Sequence, residues 1–217
     1  KVVSIGYSTS YDASIIIRSG GTQPIWGGTL DASDWDVGSS VETTWQNISA
    51  FTTNQQFSIS LPTTSVNKTG NTDYVIKRAN DTTYPGAVGY IGSQVLPATQ
   101  EHATVGYRPQ LVVTYVGGAP DFPGETSDGR LWKSGSHVSS WSTAFNNAVA
   151  GTPSTTGTGD ATAGWVFEVV CTEENEGCSA YANGVTIYRS FFSFDTSLLN
   201  DSVTITGATL KLTPSVK

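Results

Sequence analysis

The residues of this chain with chemistry to offer are few. Cys171 and Cys178 enclose six residues in CTEENEGC. As a zinc site this pair would need two further soft ligands, and the only histidines, His102 and His137, lie far away in sequence. The spacing suits a small disulfide loop at a strand end, which favours an oxidising, extracytoplasmic setting. The alternative is a pair of free thiols. DASDWD offers Asp31, Asp34 and Asp36, oxygen ligands at a spacing that can hold Ca²⁺, although the glycine and terminal glutamate of an EF-hand loop are missing. No cofactor is expected, with Ca²⁺ at these aspartates as the one alternative. The acidic run Glu173, Glu174 and Glu176 reads as a solvated turn.

Four Asn-x-Ser/Thr triplets start at Asn47, Asn67, Asn80 and Asn200. Such triplets accept N-linked sugars when they lie on exposed loops of a secreted protein. Asn67, Asn80 and Asn200 fall in expected turns and rank above Asn47. TPSTTGTG has the composition of an O-glycosylated loop, with Thr152, Ser154, Thr155, Thr156 and Thr158 as acceptors. The other reading of that stretch is a bare loop. Flat aromatic rings stack on sugars, and Trp26 and Trp35 sit in Gly- and Asp-rich surroundings. They are the candidates for a glycan platform, weighed against ordinary loop packing. Trp165 alternates with core positions and reads as structural.

Arg189 and Asp195 flank an aromatic strand. A buried ion pair or an Asp-capped turn would explain them. No second carboxylate stands at a spacing for general acid–base work. There is no G-x-S-x-G, H-E-x-x-H or P-loop motif. The chain is not expected to be an enzyme. Eleven basic against eighteen acidic residues give a net charge of −7, which repels a phosphate backbone and argues against nucleic acid as a partner. No apolar run is long enough to span a membrane as a helix.

The elements that must carry these residues alternate with period two. FSISL sets Phe57, Ile59 and Leu61 on one face, QLVVTYV sets out Leu111, Val113 and Tyr115, and WVFEVVC sets out Trp165, Phe167 and Val169. IYRSFFSF is apolar on both faces, as a central strand is. In VTITGATLKL the apolar phase slips, and a bulge at Gly207 would absorb it. Many short strands with Gly, Pro, Asn and Asp punctuation predict an all-β sandwich. The one helical suspect is a short turn near Thr63 to Lys68. GGAPDFPGETSDG, residues 117–129, reads as a linker with bounds 118–127, and 150–164 reads as a long surface loop. Residues 1–117 and 128–217 are not copies of one another.

YRSFFSFDTSLLNDSVTITGATLKL resembles the opening half of a jelly-roll module of microbial and phage surface proteins, the DNRLRE-type and carbohydrate-binding-like jelly rolls. The matching positions are Arg189, Phe194, Asp195, Thr196, Ser197 and the run from Val203 to Leu212. YRPQLVVTY resembles the closing strand of the same module, LPTTSVNKTGNTDYVIKRANDT its short turn and core strand, and DASDWDVGSS its mid-module loop. The resemblance implies a jelly-roll β-sandwich whose halves stand in reversed order. Residues 1–117 would be the closing half of one module, 118–127 a Gly/Pro linker and 128–217 the opening half of the next, or of the same module permuted.

Joining Lys217 to Lys1 gives a plausible strand–turn–strand path, and the start without Met suggests processing or excision. Three arrangements fit: one period of a tandem-repeat chain, a subunit completed by its neighbours' strands, or a self-complemented permutant. The first two make an open fibre. Fully extended, the linker would space the beads by up to about 33 Å. The expectation is a structural, extracellular, glycosylated repeat or subunit of a filament whose main partner is itself. The alternative is a lectin-like carbohydrate-binding module.

Overall fold

In the computed structural model the described residues are 2–5, 14–19, 30–36, 42–47, 52–78, 81, 93–124, 128–135, 140–158, 162–171 and 181–216. They form one α-helix, three 3-10 turns and fourteen strands, every strand pair antiparallel. The protein is therefore a mostly β, two-sheet structure, as its alternating patterns predict.

The smaller sheet runs β4 (Phe57–Leu61), β13 (Ile205–Leu212), β7 (Gln110–Tyr115), β8 (Asp121–Pro123). In β4, Ile59 and Leu61 are buried while Ser58 and Ser60 face water. In β13 the buried residues are Ala208, Leu210 and Leu212, and the register against β7 slips between Ile205 and Gly207. The bulge expected at Gly207 is thus present.

The larger sheet follows the path β14 (Pro214–Val216), β6 (Ser93–Pro97), β11 (Ala163–Cys171), β12 (Tyr181–Asp195), β5 (Asn71–Arg78), β2 (Ser14–Ser19), β3 (Glu42–Asn47). Beside this path, β1 (Val2–Ile5) pairs with β11, and β9 (Gly129–Ser134) pairs with both β12 and β10 (Ser154–Thr158).

The two faces of β12 and β5 are both covered, which explains their apolar runs. Tyr74, Ile76, Phe192 and Phe194 point to the small sheet and pack on Ile59, Leu111, Val113, Leu210 and Leu212. Val75, Val185, Ile187 and Phe191 point the other way, onto the helix α1 (Trp141–Ala150) through Ala144, Phe145 and Ala148. Fully burying one such aliphatic or aromatic side chain contributes about 1.5–3 kcal/mol. Gly135 lets α1 approach the end of β9. A Cβ there would stand 2.1 Å from the Ala144 carbonyl oxygen and 2.8 Å from the Ala148 nitrogen.

Three expectations change. Within the stretch expected as a Gly/Pro linker, 118–127, Asp121–Pro123 forms β8, which pairs with β7 and buries Phe122. The stretch 150–164 is not one open loop, because β10 runs through it against β9. The helix was not foreseen, whereas the suspected turn near Thr63 is a 3-10 turn over Thr63–Ser65. The two parts of the chain share both sheets. β13 of the later part lies between β4 and β7 of the earlier part, and β12 pairs with β5.

Candidate functional site

Two buried polar groups and one open cleft stand out. Asp81 has 1% of its surface exposed and bridges two cations. Its Oδ2 accepts from Arg189 Nε at 2.6 Å and its Oδ1 from Lys77 Nζ at 3.1 Å. Arg189 also donates to the Trp35 carbonyl oxygen. The Trp35 ring takes two cations, the Arg189 guanidinium 4.2 Å from its centroid and Lys133 Nζ at 4.9 Å. Burial pushes the neighbouring Arg78 down to about 10, with the Asp81 charge acting in the opposite direction. It stays cationic at neutral pH. This arrangement fastens the 3-10 turn Ala32–Asp36 onto β12 and β5.

Two sequence expectations are resolved here. Arg189 does form a buried ion pair, but with Asp81 and not with Asp195. Asp195 instead caps a turn, its Oδ1 accepting from the Ser197 N–H at 3.0 Å. The Ser197 hydroxyl and N–H hold the Asp195 carboxyl below the usual carboxylate range. Trp35 is not a surface platform for sugars: it is 5% exposed and packs under the two cations. Trp26 lies outside the described residues. Asp31 and Asp34 of the expected calcium loop serve the turn itself. Asp31 Oδ1 accepts from the Ser33 N–H at 2.7 Å and the Ser33 hydroxyl at 2.6 Å, and those bonds lower its carboxyl's pKa. Asp34 Oδ2 accepts from the Asp31 N–H at 2.8 Å, and desolvation raises its pKa. Asp36 ends the turn. Among the described residues no group of three His, Cys, Asp or Glu side chains is placed to hold a metal ion.

A second buried group joins the sheet to the β8–β9 crossing. The Ser193 hydroxyl donates to Asp73 Oδ1 at 2.6 Å and accepts from Asn71 Nδ2 at 3.1 Å. The Ser193 N–H donates to Asp128 Oδ1 at 3.0 Å. Asp73 and Asp128 are both buried. Nothing in the sequence pointed to them, because Ser193 lies 120 residues from Asp73 and 65 from Asp128.

The third feature is an open cleft of about 480 Å³ at the edge of the small sheet. Tyr115, Pro120, Asp121, Phe122, Pro123, Asp195, Leu198 and Leu199 line it. Leu198 is 89% exposed at its rim. Gly118 makes room for the Tyr115 ring, since a Cβ there would lie 2.9 Å from the phenol oxygen.

The sequon turns are well defined. Asn67 Oδ1 accepts from the Thr69 N–H at 3.1 Å and hydroxyl at 3.0 Å, and Asn67 Nδ2 donates to the Asn71 carbonyl at 3.1 Å. Asn200 Oδ1 accepts from the Ser202 N–H at 2.9 Å and hydroxyl at 2.7 Å. Asn47 closes β3, and Asn80 lies outside the described residues. Of the O-linked acceptors, Thr152, Ser154 and Thr155 are exposed, and Thr156 and Thr158 belong to β10. Cys171 ends β11 opposite Tyr181. Cys178 and the acidic run of Glu173, Glu174 and Glu176 lie outside the described residues. No helix among the described residues is long and apolar enough to cross a membrane. Comparison with protein-family models, with curated proteins and with solved structures yields no match.

Proposed function

We propose that the chain is a structural subunit of an extracellular filament or surface fibre, a jelly-roll β-sandwich that associates with copies of itself by strand exchange. The observation that carries this reading is the seat of β13. This strand from the later part of the chain is inserted between β4 and β7, pairing from Ala208 to Leu212 on one side and from Ile205 to Lys211 on the other. It also plugs the core with Leu210 and Leu212, both fully buried. The contacts that seat it do not depend on which copy supplies the strand. Exchange of β12 and β13 between copies would re-form the same sandwich at little cost, and an exchange that does not close propagates into a fibre.

Particle size tests the proposal. Size-exclusion chromatography with light scattering, together with negative-stain microscopy of the native protein, is expected to show assemblies far larger than the 22.9 kDa chain. A single species of one-chain mass at all concentrations would overturn it.

A second reading, a carbohydrate-binding module, is favoured by the cleft. Tyr115 offers an aromatic surface, and Asp121 and Asp195 offer carboxylate acceptors for sugar hydroxyls beside apolar walls. It expects a monomer with saturable glycan binding that is lost on Tyr115→Ala.

A further inference from the structure

The two sequon turns are neighbours in space although far apart in sequence. Lys68, the middle residue of Asn67-Lys-Thr, donates through Nζ to the carbonyl of Asp201, the middle residue of Asn200-Asp-Ser, and to the Val203 carbonyl at 3.3 Å.

Asn67 is built into the fold. Its Nδ2 is committed to the Asn71 carbonyl, and a Cβ added at Gly70 would come within 3.3 Å of that nitrogen. Its backbone N–H donates to Thr72 Oγ1 at 2.9 Å, and its carbonyl accepts from the buried Thr196 hydroxyl at 2.6 Å. A sugar on this nitrogen would have to enter a half-buried turn. Asn200, Asp201 and Ser202 are all exposed. The Asn200 carboxamide is held by its oxygen alone, and its nitrogen has no partner among the described residues.

We propose that Asn200 carries an N-linked glycan and that Asn67 does not. The reaction is a glycosyl transfer from a polyprenyl-phosphate-linked saccharide. The Asn200 Nδ2–C1 bond forms, the C1–O bond to the lipid phosphate breaks, and Nδ2 loses one proton to a base of the transferase. The Ser202 hydroxyl donating to Oδ1 draws charge onto the oxygen and makes the Nδ2 protons easier to lose. On the folded chain the exposed Asn200 Nδ2 is open to the transferase, whereas Asn67 Nδ2 lies in a half-buried turn and is bonded to the Asn71 carbonyl. The proposal rests on the extracellular part of the functional reading.

The test is glycopeptide mass spectrometry of the native protein with electron-transfer fragmentation, combined with antibody labelling of intact cells. The expected result is a saccharide on Asn200 in most molecules and none on Asn67. Asn200→Gln should then remove one glycan's mass, and Asn67→Gln should leave the glycan mass unchanged. A saccharide on Asn67, or a bare Asn200 in a protein that labelling places outside the cell, overturns the proposal while leaving the surface reading intact. A bare Asn200 in a protein found only inside the cell overturns both.

Discussion

Replacing Asp81 by alanine removes a carboxylate that, among the described residues, bridges Arg189 and Lys77, two cations that are 4% and 5% exposed. The magnitude follows from what is lost. Each hydrogen bond to a charged group contributes about 1.5–3 kcal/mol, so the pair contributes about 3–6 kcal/mol. Breaking a buried ion pair from one side costs about 3–5 kcal/mol by an independent route, because the remaining charge stays desolvated. The two ranges agree. With a urea slope near 3 kcal/mol/M, about right for a chain of this size, the unfolding midpoint should fall by about 1–2 M. Asp81→Asn keeps the shape and one acceptor, and should fall between the wild type and Asp81→Ala. The assay is urea unfolding followed by tryptophan fluorescence at neutral pH. A midpoint within about 0.2 M of wild type for Asp81→Ala would refute the reasoning, since that is under 1 kcal/mol on the same slope. It would mean that water or a mobile side chain replaces the carboxylate, and that the cluster around Trp35 is not held by charge.

Gly135→Ala should destabilise the fold by about 1–3 kcal/mol or more, because the new methyl would overlap the helix backbone at Ala144 and α1 must move away. Thermal unfolding by circular dichroism checks this, and an unchanged midpoint would show that α1 is not seated against β9. Burial also raises the Tyr74 phenol well above its ordinary value, against a hydrogen bond with the Ser65 hydroxyl at 3.0 Å. The folded state thus prefers the neutral phenol. Its contribution is complete below the unfolded-state pKa of about 10 and is lost as pH rises beyond it. Denaturant midpoints should fall from about pH 10 upward, and Tyr74→Phe should flatten that fall.

How far the sequence could be read depended on the range of the interactions. Ile59 and Leu61, or Leu111 and Val113, alternate within their own strands, so the core face of β4 and β7 is visible in a few residues. The slip at Gly207 is visible for the same reason. The interleaving of the two halves is not, because it depends on pairings such as Phe192 with Tyr74 across the chain. β8 was hidden by composition: its Asp-Phe-Pro core sits among glycines and prolines, and only its pairing with β7 makes it a strand. α1 was hidden because it meets the sheet through two alanines and one phenylalanine, too small a stripe to stand out. Arg189 forms the buried ion pair that was one of two readings open to it. Its partner stands 108 residues away, beyond any local pattern.

The central claim is that β13 completes the small sheet and that copies exchange it as they assemble. Ser60 and Thr209 are paired across β4 and β13, with Ser60 on the water-facing side of β4. Introducing Ser60→Cys together with Thr209→Cys, oxidising the assembled protein and running it on a non-reducing denaturing gel reads directly which chain supplies the strand. Strand exchange predicts a ladder of covalently linked chains from assembled material and a single-chain band from dilute, refolded protein. A single-chain band from both would show that each chain keeps its own β13, and it would contradict the filament reading.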